Sequence, residues 1–456
     1  MFMSNLKIKL IKGGLRMKRL TRKLVGVVIM SFITIMATAN VMAQDGVWEG
    51  SGTKKDPYQI ADEADLKALA QNVNNNVSTY EETYFKEVED ITLTEPWVPI
   101  GTENSMFSGN FDGSERTISG FSCTAENFSA LFAYNNGTIR RVNVEGNVEG
   151  KKNVGLIVAY NLGTVSGSTA AGNVVGQENV GLAIGYNAGN VKSVISLGDV
   201  TGNYYVAGIV GYNDNGLIEK CTNNSVVTGY GKIGGIAGGN FIAGNVTNCY
   251  NNNFVRASDD VDINLEDNTS IGGIVGVNSN SSTVDGSINY GHIISKIDKA
   301  GGICGSCNNS IISQCHDIGD VTSDFLDAGA IVGYADSGSS ITDCLYLLTD
   351  RSYGGIHGED VLGSAESAVM AESVGVDEHN DGVKATGFYI SLTPEENEFD
   401  SIKWAVITPV QMKTAFYQYQ VGKYKESEDS TVKFGLIVNK LRYDDSIALV
   451  KVYTKN

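Results

Sequence analysis

One phrase recurs along this chain and limits what it can fold into. It reads Val154-Gly155-Leu156-Ile157-Val158-Ala159-Tyr160-Asn161, then Val180-Gly181-Leu182-Ala183-Ile184-Gly185-Tyr186-Asn187, then Val206-Ala207-Gly208-Ile209-Val210-Gly211-Tyr212-Asn213. Further copies begin at Ile233, Ile271, Ala300 and Ala328, and a first one at Phe128, so that successive starts lie 26, 26, 26, 27, 38, 29 and 28 residues apart. A repeat of this length is one supersecondary unit that cannot bury its apolar face alone and must stack on its neighbours. Within each copy the apolar runs hold about four to six residues, are rich in Val, Ile and Tyr, and are broken by Gly, Asn, Asp and Ser; such runs are strands rather than helices. No proline occurs between Phe128 and Leu345. The pattern therefore predicts an all-β solenoid, one coil per repeat, each strand pairing in parallel with its counterpart about 4.8 Å away in the next coil.

Stacking superposes equivalent residues. The position of Val142 becomes Ser168, Val194, Cys221, Cys249, Ser287, Cys315 and Cys344, a small or apolar column suited to the interior. The position of Asn135 becomes Asn161, Asn187, Asn213, Asn240 and Asn278, then breaks to Cys307 and Ala335. An Asn column at a coil corner can adopt a left-handed backbone and hydrogen-bond to the coils above and below. Tyr134, Tyr160, Tyr186, Tyr212 and Tyr334 form a third column, interrupted by Gly239, Val277 and Ser306. Facing outward, these rings would form an aromatic strip able to stack on sugar rings; facing inward, they would be core. The Gly-rich strand has small residues on both faces, and its inward phase stays open.

Residues 1–43 carry eight Lys/Arg and no acid, with an apolar run from Leu24 to Ala37 and a small-x-small site at Val41-Met42-Ala43. This predicts a signal peptide cleaved after Ala43 and a secreted or cell-surface location, with no membrane insertion after cleavage. The formal charge is −18, and −26 without that segment, which argues against a nucleic-acid partner. Residues 44–127 are expected to form an N-terminal cap and the first coils. The cap contains one helix, N-capped by Asp62, with Leu66, Leu69, Ala70 and Val73 on one face. The repeats fill 128–348, with an acidic insertion at Ala257–Asn268. A linker with a short helix near Ala365–Glu372 is expected over 349–385, and a small antiparallel, sandwich-like β domain over 386–456.

The phrases Gly52-Thr53-x-x-Asp56-Pro57-Tyr58-x-Ile60, Asp65-Leu66-x-x-Leu69, Phe111-Asp112-Gly113 and Thr117-Ile118-Ser119-Gly120 resemble the front end of secreted bacterial proteins of the GLUG-motif family. Gly272–Asn278 resembles the GLUG repeat itself. The resemblance, over roughly residues 48–346, implies a right-handed parallel β-helix-like solenoid and an extracellular role. The family's repeats occur on surface and secreted bacterial proteins, some attached to peptidases that cleave immunoglobulin A. Gly155-Leu156 and Gly181-Leu182 depart from the family's Gly-Gly, and Cys304-Gly305-Ser306-Cys307 loses its Asn.

Chemistry is sparse. Cys304 and Cys307 form a CxxC inside a repeat strand rather than at the start of a helix, and the stacked cysteines read as buried thiols. The four histidines, His292, His316, His357 and His379, make no His-Glu-x-x-His, and no Gly-x-Ser-x-Gly elbow occurs. No repeat face gathers two carboxylates beside a base, as a polysaccharide lyase or hydrolase would need. The sequence thus predicts a non-catalytic, adhesin-like binding protein with no cofactor and no metal, whose partner is an extracellular glycan or protein. The alternative is a stalk presenting residues 386–456.

Overall fold

The computed structural model describes residues 48–258, 269–296, 299–319, 321–323 and 328–348, and beyond them six strands between residues 372 and 454. Contacts divide the chain into residues 1–49 and 50–456, and the fold described below is that of the second unit. The predicted signal peptide, most of the acidic insertion, His357 and His379 lie outside the described residues.

The described residues between 50 and 348 form a parallel β-solenoid of about ten turns with one helix. Each complete coil carries four strands. One coil holds Lys152–Val154, Val158–Asn161, Thr164–Ser166 and Thr169–Val175. Each pairs in register with its counterpart: Val154 with Val180, Asn161 with Asn187, Val165 with Val191 and Val174 with Val200. Repetition builds four sheets of 11, 8, 8 and 14 strands. Val154, Val165 and Val174, and likewise Val180, Val191 and Val200, are fully buried, so every coil adds one apolar layer.

The corners are built by backbone. Arg141, Gly167, Ser193, Lys220, Asn248, Gly286, Gln314 and Asp343 stack at one corner, all with φ between 51° and 59°. A left-handed non-glycine residue costs on the order of 1–2 kcal/mol, so its presence at six of these eight corners shows a bend set by the stacked strands rather than by residue type. The column following this corner is the one containing the stacked cysteines.

The helix α1, Glu63–Asn74, starts at Asp62, whose carboxylate accepts from the Ala64 and Asp65 N–H at 2.9 and 3.0 Å. Leu66, Leu69, Ala70 and Val73 are buried, the face that their spacing predicts. The helix is tied to the opening coils by Asn74, which donates to the Pro99 carbonyl at 2.9 Å and accepts from the Gly101 N–H at 2.7 Å. Phe85, Phe107, Phe111 and Phe132 fill the interior there, with ring centroids 5.2–6.2 Å apart along the series.

Past Leu348 the segment expected as a linker holds a strand, Glu372–Gly375, paired in parallel with Leu345–Leu348 and so prolonging the 14-stranded sheet. The short helix expected just before it lies, up to residue 371, outside the described residues. Tyr389–Ile390, Ser401–Ile407, Val432–Lys433, Val438–Asn439 and Ala448–Thr454 make a five-stranded sheet. Three of its pairings are antiparallel and one, Ile390 with Val450, is parallel, so it is mixed where a wholly antiparallel sheet was expected.

Candidate binding surface

The tyrosine column lies on one wall of the solenoid. Tyr134, Tyr160, Tyr186 and Tyr212 are in register, followed by Gly239, Val277, Ser306 and Tyr334. Each tyrosine from Tyr134 to Tyr212 precedes a fully buried Asn, so strand alternation turns its ring outward. Tyr160, Tyr186, Tyr212 and Tyr334 are half-buried and Tyr134 is buried.

The rings stack on one another. Tyr160 and Tyr186 lie 4.4 Å apart at an interplanar angle of 4°, Tyr186 and Tyr212 5.5 Å apart at 5°, and Tyr212 and Phe241 4.8 Å apart at 19°. Tyr134 is 5.4 Å from Tyr160 and 4.7 Å from Phe128. Tyr205 meets Tyr212 edge-on at 4.9 Å. Because neighbours cover the ring faces, the wall offers edges and hydroxyls to a partner. The Tyr186 and Tyr212 hydroxyls keep their protons: burial and then Asp214, which accepts from the Tyr186 hydroxyl, raise the Tyr186 pKa, and burial pushes that of Tyr212 up to about 12. Beside the wall, Lys232 Nζ sits 5.3 and 5.6 Å from the Tyr204 and Tyr205 ring centroids, and burial, then the nearby Lys299, push its pKa down to about 8.

The asparagine column is the inner counterpart of this wall. Each Nδ2 donates to Oδ1 of the next coil: Asn135 to Asn161, Asn161 to Asn187, Asn187 to Asn213 and Asn213 to Asn240 at 2.7 Å, and Asn240 to Asn278 at 2.9 Å. The amides also bond their own corner; Asn187, for example, accepts from the Gly189 N–H and donates to its carbonyl, both at 3.2 Å. All six are fully buried. Their φ values are not positive, which corrects the expectation of a left-handed Asn corner: Gly189 N–H and carbonyl are satisfied by the amide itself, and the left-handed residues lie elsewhere.

A second ladder has no counterpart in the sequence reading. Asn223 donates to Asn251, Asn251 to Asn289 and Asn289 to Asp317, each at 2.7 Å, all essentially buried. Ser196 donates to its first member at 2.7 Å. The ladder runs in one donor direction, so its last member needs only to accept, and Asp317 is suited to that place. Room for it comes from glycine. A Cβ at Gly208 would lie 2.0 Å from Asn223 Oδ1, at Gly235 2.5 Å from Asn251 Cγ, at Gly273 2.3 Å from Asn289 Cγ and at Gly302 2.1 Å from Asp317 Cγ. In the earlier coils the stacked positions are Leu156 with Ala170 and Leu182 with Ser196, all buried. Leucine stands where the opposing residue is small, and glycine where it is an amide or acid. The Gly-Leu copies are thus a size exchange within one core.

The Gly-rich strand also acquires its phase. A Cβ at Gly185, Gly211 or Gly238 would lie 2.5–2.6 Å from backbone of an adjoining strand of the preceding coil, so this position faces inward and must be small. The cysteine column is more than filler. The Val142 N–H donates to Ser168 Oγ at 3.1 Å, Val194 N–H to Cys221 Sγ at 3.5 Å, Cys221 N–H to Cys249 Sγ at 3.4 Å and Cys249 N–H to Ser287 Oγ at 3.1 Å. Each Ser or Cys then donates to the carbonyl two residues before it, as Cys249 does to Thr247 at 3.3 Å and Cys344 to Thr342 at 3.3 Å. Serine and cysteine interchange here because both accept and donate. Cys315 completes the column, its thiol pKa raised by burial, and all seven cysteines are free and buried. Cys307 takes the place of an Asn, and burial pushes its pKa up to about 12. Burial pushes that of His316 down to about 4.

Four parallel sheets, corner amides stacked coil on coil and an outward aromatic wall define a β-solenoid repeat protein. The chain carries the GLUG motif: residues 202–228 match that family's model, and they span the coil in which Gly208, Tyr212, Asn213, Cys221 and Asn223 first occur together. Over 108 residues, 21% of this chain, it is 35% identical to a protein of Evansella cellulosilytica described as a Gly-rich membrane protein, and it spans only 12% of that relative's length. Among solved structures, a chain from Bacteroides ovatus described as an immunoglobulin A1 protease is 17% identical, over 74% of this chain and 93% of that one, with a TM-score of 0.42. An IgA1 protease is 13% identical, over 72% of this chain and 26% of that one, with a TM-score of 0.40. Among the described residues, no helix is long and apolar enough to cross a membrane.

Proposed function

We propose that this is a non-catalytic, adhesin-like binding protein of the secreted or cell-surface kind, exported through cleavage after Ala43. In this reading the right-handed solenoid is a rigid frame for recognising an extracellular glycan or protein, and residues 386–456 form a separate small β domain. The observation that carries it is the outward aromatic wall from Phe128 through Tyr134, Tyr160, Tyr186 and Tyr212 to Phe241. Large aromatic side chains on the outside of a β-sheet contribute contact area with little conformational entropy to lose on binding. The test is binding of the full-length protein to glycan, mucin and matrix-protein arrays. Loss of a recognised ligand on substituting Tyr160→Ala and Tyr186→Ala, with circular dichroism unchanged, is the expected result. Hydrolysis or elimination of any arrayed glycan would overturn the non-catalytic assignment.

The stalk reading draws on a different observation, that the ring faces are occupied by neighbouring rings. It predicts that both tyrosine substitutions lower stability and leave every ligand bound.

A further inference from the structure

A different wall holds a groove. One strand position of the 11-stranded sheet carries Tyr84, Asn110, Thr138, Thr164 and Asn190 in successive coils. These side chains line one side of an open cavity of about 430 Å³. All are at least partly exposed. From Asn110 to Asn190 the residue before this column is glycine, and Gly109, Gly137 and Gly163 line the cavity. A Cβ at Gly137 would lie 2.1 Å from the Gly109 carbonyl oxygen, and one at Gly163 2.1 Å from that of Gly137, so no side chain can stand on the floor. Glu81 and Glu82, both exposed, close one end, and Glu82 is held there by a left-handed backbone, φ 59°. At the other end the column passes from Asn190 to Leu217, where the polar lining stops.

We propose that this groove binds a neutral polysaccharide chain lying along the solenoid axis. The lining offers one amide or hydroxyl per coil, at the strand spacing of about 4.8 Å, comparable with the advance of one pyranose unit in an extended glycan. Asn and Thr supply both donors and acceptors, as sugar hydroxyls require, and Tyr84 supplies an aromatic ring at one end. The charged side chains of the lining are carboxylates and the whole chain carries −18, so acidic glycans are repelled. The inference rests on the binding-protein reading and moves the glycan site away from the tyrosine wall.

The test is calorimetric titration of the full-length protein with hexasaccharides of β-1,4-linked glucose and of β-1,4-linked mannose, with a galacturonate hexasaccharide as the acidic probe. Thr138→Val with Thr164→Val removes two hydroxyls at nearly constant shape and is expected to weaken the neutral hexasaccharide about tenfold or more. Thr283→Val, in the same column beyond Leu217, is expected to change nothing. Tight binding of the acidic probe, or neutral-glycan binding indifferent to Thr138 and Thr164, overturns the groove. If such binding instead requires Tyr160 and Tyr186, or if only proteins bind, the groove fails and the proposed function stands. Silence toward all glycans and proteins overturns both.

Discussion

The coils over residues 127–202 and those over residues 204–323 share one backbone and solve its interior differently. In the first set, Leu156 and Leu182 fill the space opposite Ala170 and Ser196. In the second, Gly208, Gly235, Gly273 and Gly302 leave that space to Asn223, Asn251, Asn289 and Asp317. An apolar layer has been exchanged for a hydrogen-bonded one, with the amide standing in space that the leucine no longer takes. The outer wall changes one coil later: the stacked tyrosines run to Tyr212, and Gly239, Val277 and Ser306 follow. The comparison teaches that a parallel solenoid tolerates buried amides because stacking delivers a partner for each one. A buried amide without that partner costs about 1–3 kcal/mol, while a bonded one contributes about 1 kcal/mol net.

The largest effect should come from moving an early coil toward the later solution by halves. Leu182→Gly alone removes a fully buried side chain and is expected to destabilise by about 3–5 kcal/mol. Adding Ser196→Asn fills part of the space and places a donor beside Asn223, and about 1–2 kcal/mol should return. Denaturant titration of the double-mutant cycle reads the coupling, and strict additivity would show that the exchange is not volumetric. Next, Asn187→Ala interrupts the ladder common to both sets, removing the acceptor for Asn161 and both bonds to Gly189. A loss of about 3 kcal/mol is expected, and one under about 0.5 kcal/mol would deny the ladder its stabilising role.

Glu87 supplies the contrasting case of a buried polar group that no ladder serves. It is fully buried, neither carboxyl oxygen has a hydrogen-bond partner, and burial, then Asp112 and Asp90, push its pKa from 4.5 to about 9. The folded carboxyl stays protonated while the unfolded one ionises above pH 4.5. Its contribution to stability therefore falls as pH rises from 4.5 to about 9 and is constant outside that window. Glu87→Leu should stabilise by about 3 kcal/mol at pH 7 relative to its effect at pH 4. Equal effects at the two pH values in thermal melts would place an unseen partner on Glu87. The smallest effect belongs to Cys249→Ser, where a hydroxyl relays the same two bonds, as at Ser168 and Ser287; under about 1 kcal/mol is expected. Cys249→Val, which cannot accept from Cys221 N–H, should cost more.

Much of this was legible before any coordinates. The 26-residue period, the valine and isoleucine runs and the Asn135–Asn278 and Cys221–Cys344 columns follow from self-comparison, because stacking places like on like, and the Asp62-capped helix follows from local spacing. The groove was not read, since its floor is defined by glycines among many glycines. Nor was the second ladder, because it begins only at Asn223 and its neighbours in the column, Val144, Ala170 and Ser196, conceal it.

By itself the sequence determined that coils stack and which residues share a column, since both are properties of one repeat compared with the next. Only the tertiary structure decided contacts between strands that occupy different places in the coil. Gly208 against Asn223, the inward phase of Gly185 and the isolation of Glu87 involve positions that no comparison of repeats aligns. Their physical cause is the corner geometry, which sets how four short strands enclose one core and therefore how much space each side chain finds opposite it.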